Sequence, residues 1–371
     1  MKVNTTKNSE SEPANDLESD TNTDLGRNVV EGANGNEGAV GNEGSAASRT
    51  RMSPARTVVQ IFGFVVGMGL LGWCIKSAVG GGDLSRLSSA TAFQISMLIG
   101  CTLISVVANG AIFWIIIRPV MNIPLKDIQL VNCVVNLANY LPFRFGMITR
   151  IAHHRRVDHV SYFLLAAWYA AVMVMLMLVL VAILGATLVR PAADVWWFVS
   201  LASILVIGMF FLRYVVSHHK LTPRLRGAER MLNHPSALIG AVILRLIDLA
   251  AYGGRLYFSL SIIGVAISFR DWLYLTNISI VSSLSPVGSL GFREFAISYL
   301  GPYLTSSKLQ GEGLHDQLSA VVVIDRSAEM MVFIPLGLLS VFWMLYRWRL
   351  AGRTEDLPVI ADSSIDGPDD D

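Results

Sequence analysis

Charged residues are scarce: Asp, Glu, Lys and Arg make up 15% of the 371 residues, where a soluble domain carries about 25%. With 53% apolar residues, the shortfall points to lipid as the main solvent. The formal net charge of +1 gives no attraction for nucleic acid. Cysteines are few as well. Cys74, Cys101 and Cys133 all fall in apolar runs without metal-ligand spacing, which reads as small packing residues. No G-x-x-x-x-G-K-[ST] loop occurs, so ATP use by this chain is not expected. The apolar part also lacks clustered carboxylates at metal-ligand spacing and any Ser/His pairing. No catalytic residue, metal or cofactor is therefore expected.

What is present divides by composition. Residues 1–56 are rich in Asn, Glu, Asp, Ser and Gly, with "GNEG" at Gly35–Gly38 and again at Gly41–Gly44. Such a segment buries too little apolar surface to offset its ordering entropy and is expected to be disordered. An acidic tail over 347–371 is expected to behave alike. Neither carries a basic start followed by an apolar core, so the N-terminal segment is not read as a signal peptide.

Between the tails, six segments reach the roughly 20 apolar residues that span a bilayer as a helix. They are Thr57–Val79, Thr91–Ile117, Val160–Val189, Val195–Val216, Ser236–Ile263 and Leu318–Leu345. Two further apolar segments are short and end in Pro/Gly breaks: Ile128–Arg150 and a second starting at Trp272 and extending to Leu304. Basic residues cluster at Arg49/Arg51/Arg56, Arg118/Lys126, Arg150/Arg155/Arg156, Lys220–Arg230 and Arg347/Arg349/Arg353. Placing every cluster in the cytoplasm makes each short segment a re-entrant hairpin, one entering from each side, with both termini cytoplasmic. The chain then reads as an all-α integral membrane protein of the cell membrane built from an inverted repeat, 57–189 and 190–346. Spacing agrees: Lys126–Asp127 precedes Pro142 by the interval at which Arg270–Asp271 precedes Pro286.

Broken backbone at membrane depth survives only where protein or a watery cavity satisfies it, so both hairpins should face an interior. The first offers Asn136, Asn139, Arg144 and Arg150; the second offers Ser285, Gly288, Gly291, Arg293 and Glu294. Arginine is a permanently charged fork matched to phosphate, and these residues are the candidate contacts for an anionic lipid headgroup. Further charges lie inside full spans: Arg245, Asp248 and Arg255 in one, Asp325, Arg326 and Glu329 in another. Intramembrane charges face the bundle interior and suggest function; self-neutralising pairs such as Arg245 with Asp248 are the alternative, and both can hold. Trp196, Trp197, Trp272, Trp343 and Trp348 suit an interfacial belt. His153 and His154 are expected at the interface, without a metal site.

The motifs "GSLGFRE" (Gly288–Glu294) and "NYLPFRFGMITR" (Asn139–Arg150) resemble those of the lysylphosphatidylglycerol synthase transmembrane region, a flippase-like membrane family. The resemblance covers roughly Val58 to Tyr346. Met147 stands where the family motif has Glu, Ser289 replaces a Gly, and Val160–Val189 lacks an arginine whose counterpart is Arg326. The resemblance implies translocation of a lipid between leaflets, with membrane lipids as partners and a separate lipid-synthesis enzyme as a second. The competing expectations are an intramembrane lipid-modifying transferase and a scaffold subunit of such an enzyme.

Overall fold

The computed structural model describes residues 54–80, 88–141, 145–218, 226–284, 291–304 and 314–355. Every regular element among them is helical. Arg144, Ser285 and Gly288 lie outside the described residues, as do residues 1–53 and 356–371, where most of the expected tails fall.

The first half holds α1 (Pro54–Gly80), α2 (Ala92–Ile117), α3 (Leu125–Ala138), α4 (Phe145–Val157) and α5 (Tyr162–Val189). The second holds α6 (Val195–His218), a short α7 (Arg226–Asn233), α8 (Pro235–Ile263) and α9 (Phe269–Ser283). It continues with α10 (Phe292–Phe295), a π-helical turn over Ala296–Leu300, α11 (Gly301–Leu304) and α12 (Leu314–Glu355). Five of these, α2, α5, α6, α8 and α12, are long and apolar enough to cross a membrane, and α1 adds a shorter apolar stretch, Val65–Val79.

Local chemistry fixes several ends. Thr91 and Gln94 form a reciprocal capping box at the start of α2, satisfying two otherwise orphan donors. Ser161 and Ser268 cap α5 and α9 through the amides of Leu164 and Asp271. Pro235 opens α8, and Gly264 closes it in the left-handed conformation at φ 79°, where glycine carries no Cβ penalty.

The packing partners repeat when the two halves are exchanged. The exchange maps α2 onto α8, and these two lie against each other; α5 packs on α6 as α12 packs on α1. Likewise α3 packs on α12 as α9 packs on α5, and α2 touches α3 as α8 touches α9. One core cluster surrounds α5 through Trp168, Met175 and Val179, and another surrounds α12 through Val321, Val322 and Ile324. The indole of Trp168 ties the first together by donating to the Phe113 carbonyl at 2.8 Å. Large apolar side chains also cover the outside: on α6, Phe198, Ile207, Phe210 and Phe211 are all exposed. An apolar exterior of this kind is suited to lipid.

Three expectations change. Residues 347–355, read as tail, continue α12 as helix. Long-range contacts hold this extension: Arg347 pairs with Asp127 of α3 at 3.1 Å, and the Trp348 indole donates to Nδ1 of His153 at 3.1 Å. His153 and His154 are fully buried rather than interfacial, because α12 and Trp168 pack over them. Trp197, read as a belt residue, is buried too, its indole 3.3 Å from Thr187 Oγ1.

Candidate functional site

A cavity of about 330 Å³ lies where α2, α3, α4, α5, α8, α9, α10 and α12 converge. Of the candidates, Asn136, Asn139, Arg150, Arg245, Asp248, Arg255, Arg293, Arg326 and Glu329 line it. Residues from both broken segments and both charged spans thus meet in one space. Glu294, Asp325 and Gly291 stand outside the wall, and each has an identifiable task there.

Gly146 and Gly291 make the close approaches possible. A Cβ at Gly146 would run into the Asn139 side chain and the Val135 carbonyl, so only glycine lets α4 close onto α3. At Gly291 the backbone is left-handed, at φ 83°, and a Cβ would collide with the Gly67 carbonyl of α1. The second segment is thereby seated against the first helix of the chain.

Immediately after Gly291, α10 delivers Arg293 and Glu294 into a buried charge cluster. Arg255 grips Asp325 through Nε at 2.7 Å and Nη2 at 3.3 Å. Arg293 reaches Asp325 Oδ2 at 2.6 Å and Glu329 Oε2 at 3.0 Å. Arg326 donates to Glu329 Oε2 at 3.0 Å, and its Nε lies 3.0 Å from Glu294 Oε1 as an ion pair without hydrogen-bond alignment. Glu294 spends its other oxygen on the Gly291 amide, at 2.7 Å. Three arginines and three carboxylates therefore compensate one another. Removing a buried charge from water is costly, and mutual pairing is what makes these six tolerable. Glu294 holds the turn and faces Arg326.

A second pair lies along α8. Arg245 Nη1 meets Asp248 Oδ2 at 2.8 Å, one turn away, as the i,i+3 spacing favours. Ser105 of α2 donates to the other carboxylate oxygen at 2.5 Å.

Arg150 differs from all of these. It is 1% exposed, its Nη2 donates to Asn132 Oδ1 at 2.7 Å, and its guanidinium sits 3.5 Å from the centroid of the Phe113 ring. Asn132 is itself fixed, donating to the Val106 carbonyl at 3.2 Å. Among the described residues no carboxylate pairs with Arg150, and its Nε and Nη1 have no hydrogen-bond partner. Arg245 Nε, Arg326 Nη2 and the hydroxyls of Tyr140 and Tyr169 are likewise buried without partners. All six of these atoms belong to residues of the cavity wall, and all six can donate. The cavity is thus rich in unused donors, a chemistry suited to a phosphate oxygen or another anion.

Sequence reading missed Ser105, Asn109, Asn132, Tyr140, Tyr169 and Tyr252 on this wall. Their polarity within apolar runs was the available signal; Asn109 in the middle of α2 was the clearest case. At the far end of α4, the potential ligand atoms of His153, His154 and Asp158 fall within 4.8 Å of one another. Hydrogen bonds occupy this group. His153 Nδ1 accepts from Trp348, which leaves the proton on Nε2, and His154 Nδ1 contacts Asp158 Oδ2 at 2.7 Å. With Nε2 protonated and Nδ1 engaged, His153 has no lone pair for a metal, so the donor set does not fit one.

The family model described as the lysylphosphatidylglycerol synthase TM region matches residues 60–311. No curated protein and no solved structure matches the chain. The matched segment contains both broken motifs and most of the cavity wall. The chain belongs to the lysylphosphatidylglycerol synthase TM region family and is a multi-pass membrane protein linked to lipid metabolism.

Proposed function

We propose that this protein is a flippase-like transporter that moves a phospholipid or other lipid phosphate between leaflets, and not an enzyme. The observation that carries this is the cavity: residues from both halves of the chain, five of them with donors that lack partners, line one space inside an apolar bundle. The headgroup occupies that cavity while the acyl chains stay in the bilayer. Arg150, Arg245 and Arg326, all on the cavity wall, contact the phosphate. The paired cluster around Asp325 keeps Arg293 and Arg255 oriented.

In this reading α1 is a sixth span. The segments α3–α4 and α9–α11 are two opposed re-entrant hairpins of an inverted repeat, a common way to build a midplane site. The exchange-related packing of the halves supports that arrangement. Both termini lie in the cytoplasm of a cell membrane, as the basic clusters suggest. A separate lipid-synthesis enzyme supplies the cargo.

Reconstitution into vesicles containing fluorescent lipids of several headgroups tests the reading. Protein should accelerate transbilayer movement of at least one lipid above the rate in protein-free vesicles. Rates equal to those of protein-free vesicles for every headgroup would refute transport.

A further inference from the structure

The balance of buried charge in the cavity extends to what the cavity will accept. Arg245 has Asp248, while Arg255, Arg293 and Arg326 share Asp325, Glu329 and Glu294. Arg150 alone among the buried arginines has no carboxylate among the described residues. Its surroundings are polar but uncharged or apolar: Asn132, Phe113, Tyr169 and, one turn earlier on α4, Met147. Asn132 and the Phe113 ring hold the guanidinium in place, and two of its nitrogens stay unsatisfied. An isolated buried cation is expensive unless something negative reaches it.

We propose that the cavity selects for headgroups of net negative charge, a phosphodiester whose polar part carries no cation, over zwitterionic and cationic headgroups. A zwitterionic headgroup brings an ammonium whose charge cancels that of its phosphate. A lysylated glycerol headgroup carries two ammonium groups against one phosphate and adds a net positive charge beside Arg150. A glycerol phosphodiester supplies the single negative charge that Arg150 lacks, with hydroxyls for the neighbouring Asn and Tyr side chains. This rests on the cavity being a headgroup site, as proposed above, and concerns binding independently of movement across the bilayer.

The test is native mass spectrometry of the full chain in detergent, titrated with short-chain phosphatidylglycerol, phosphatidylcholine and lysylphosphatidylglycerol, and separately with inorganic phosphate. The expected order is phosphatidylglycerol first, by about tenfold or more over the other two lipids. Arg150→Lys keeps that order and Arg150→Gln abolishes it. Met147→Glu places a carboxylate one turn from Arg150 and should remove the preference for the anion while Arg150 is retained, which keeps the test open if Arg150→Gln fails to fold. Equal affinities in the wild type, or a preference unchanged by both Arg150→Gln and Met147→Glu, would overturn the proposal. So would inorganic phosphate competing as well as the anionic lipid, since the site would then recognise a free ion. Selective binding without transport would leave this inference standing and remove the flippase reading; movement of all headgroups without selective binding would do the reverse.

Discussion

Asp325 holds two arginines at once, Arg255 at 2.7 Å and Arg293 at 2.6 Å, and is itself almost fully buried. Asp325→Asn leaves Arg255 and Arg293 to share Glu329 with Arg326. Breaking a buried pair from one side costs about 3–5 kcal/mol, whereas replacing both partners by apolar side chains is often close to neutral. Thermal unfolding in detergent should therefore show Asp325→Asn well below the wild type. The double variant Arg255→Met/Asp325→Leu, which leaves Arg293 with Glu329, should lie much nearer to it. Similar losses for both would mean that packing, and not charge compensation, carries these positions. The same distinction separates Arg293 from Arg150. Both are buried arginines in the broken motifs, yet one is held by carboxylates and the other by an amide and a ring. Sequence offered both as headgroup contacts, with an ion pair as the alternative for Arg293 beside Glu294. Partners thirty or more positions away decide it.

At the level of elements, the long helices were legible. Apolar runs give α2, α5 and α8 nearly to the residue, helped by Thr91 and Ser161 before the first two and by Pro235 and Gly264 at the ends of the third, since each signal is local. The C-terminal end of α12 was not, because its sequence is polar and its order comes from α3 and α4. His153 is central to that contact. Burial first, then the neighbouring His154 and Arg347, pushes its pKa down to about 4, with Asp158 opposing. An unfolded histidine titrates near 6.5, so the folded state favours the neutral ring. The stabilisation is complete above about pH 6.5 and is lost as the pH falls toward 4. Protonation of Nδ1 also removes the acceptor that Trp348 uses, worth about 1 kcal/mol. Hydrogen exchange corrected for intrinsic rates should show amides 347–350 opening about twofold more often at pH 4.5 than at pH 7, because a pKa near 4 leaves most of the rings neutral at pH 4.5. Unchanged protection would mean that Arg347–Asp127 alone holds the extension.

Over the whole molecule, the relation between the halves converts a list of expensive residues into one site. Each half brings a broken helix and an arginine to the same cavity, and packing pairs recur when the halves are exchanged. That convergence was partly visible in the matched spacing of the two Pro/Gly breaks. The wall supplied by Tyr140, Tyr169 and Asn132 left only its polarity within apolar runs as a signal, because its convergence depends on how the helices pack. The most direct test of a headgroup path through this cavity is the transbilayer rate of a fluorescent anionic phospholipid in vesicles. Wild-type protein should raise that rate above protein-free vesicles, and Arg150→Gln should lower the protein-dependent part by about tenfold, roughly the loss of one charge-assisted contact. A wild-type rate equal to that of empty vesicles, or a protein-dependent rate indifferent to Arg150, would contradict it.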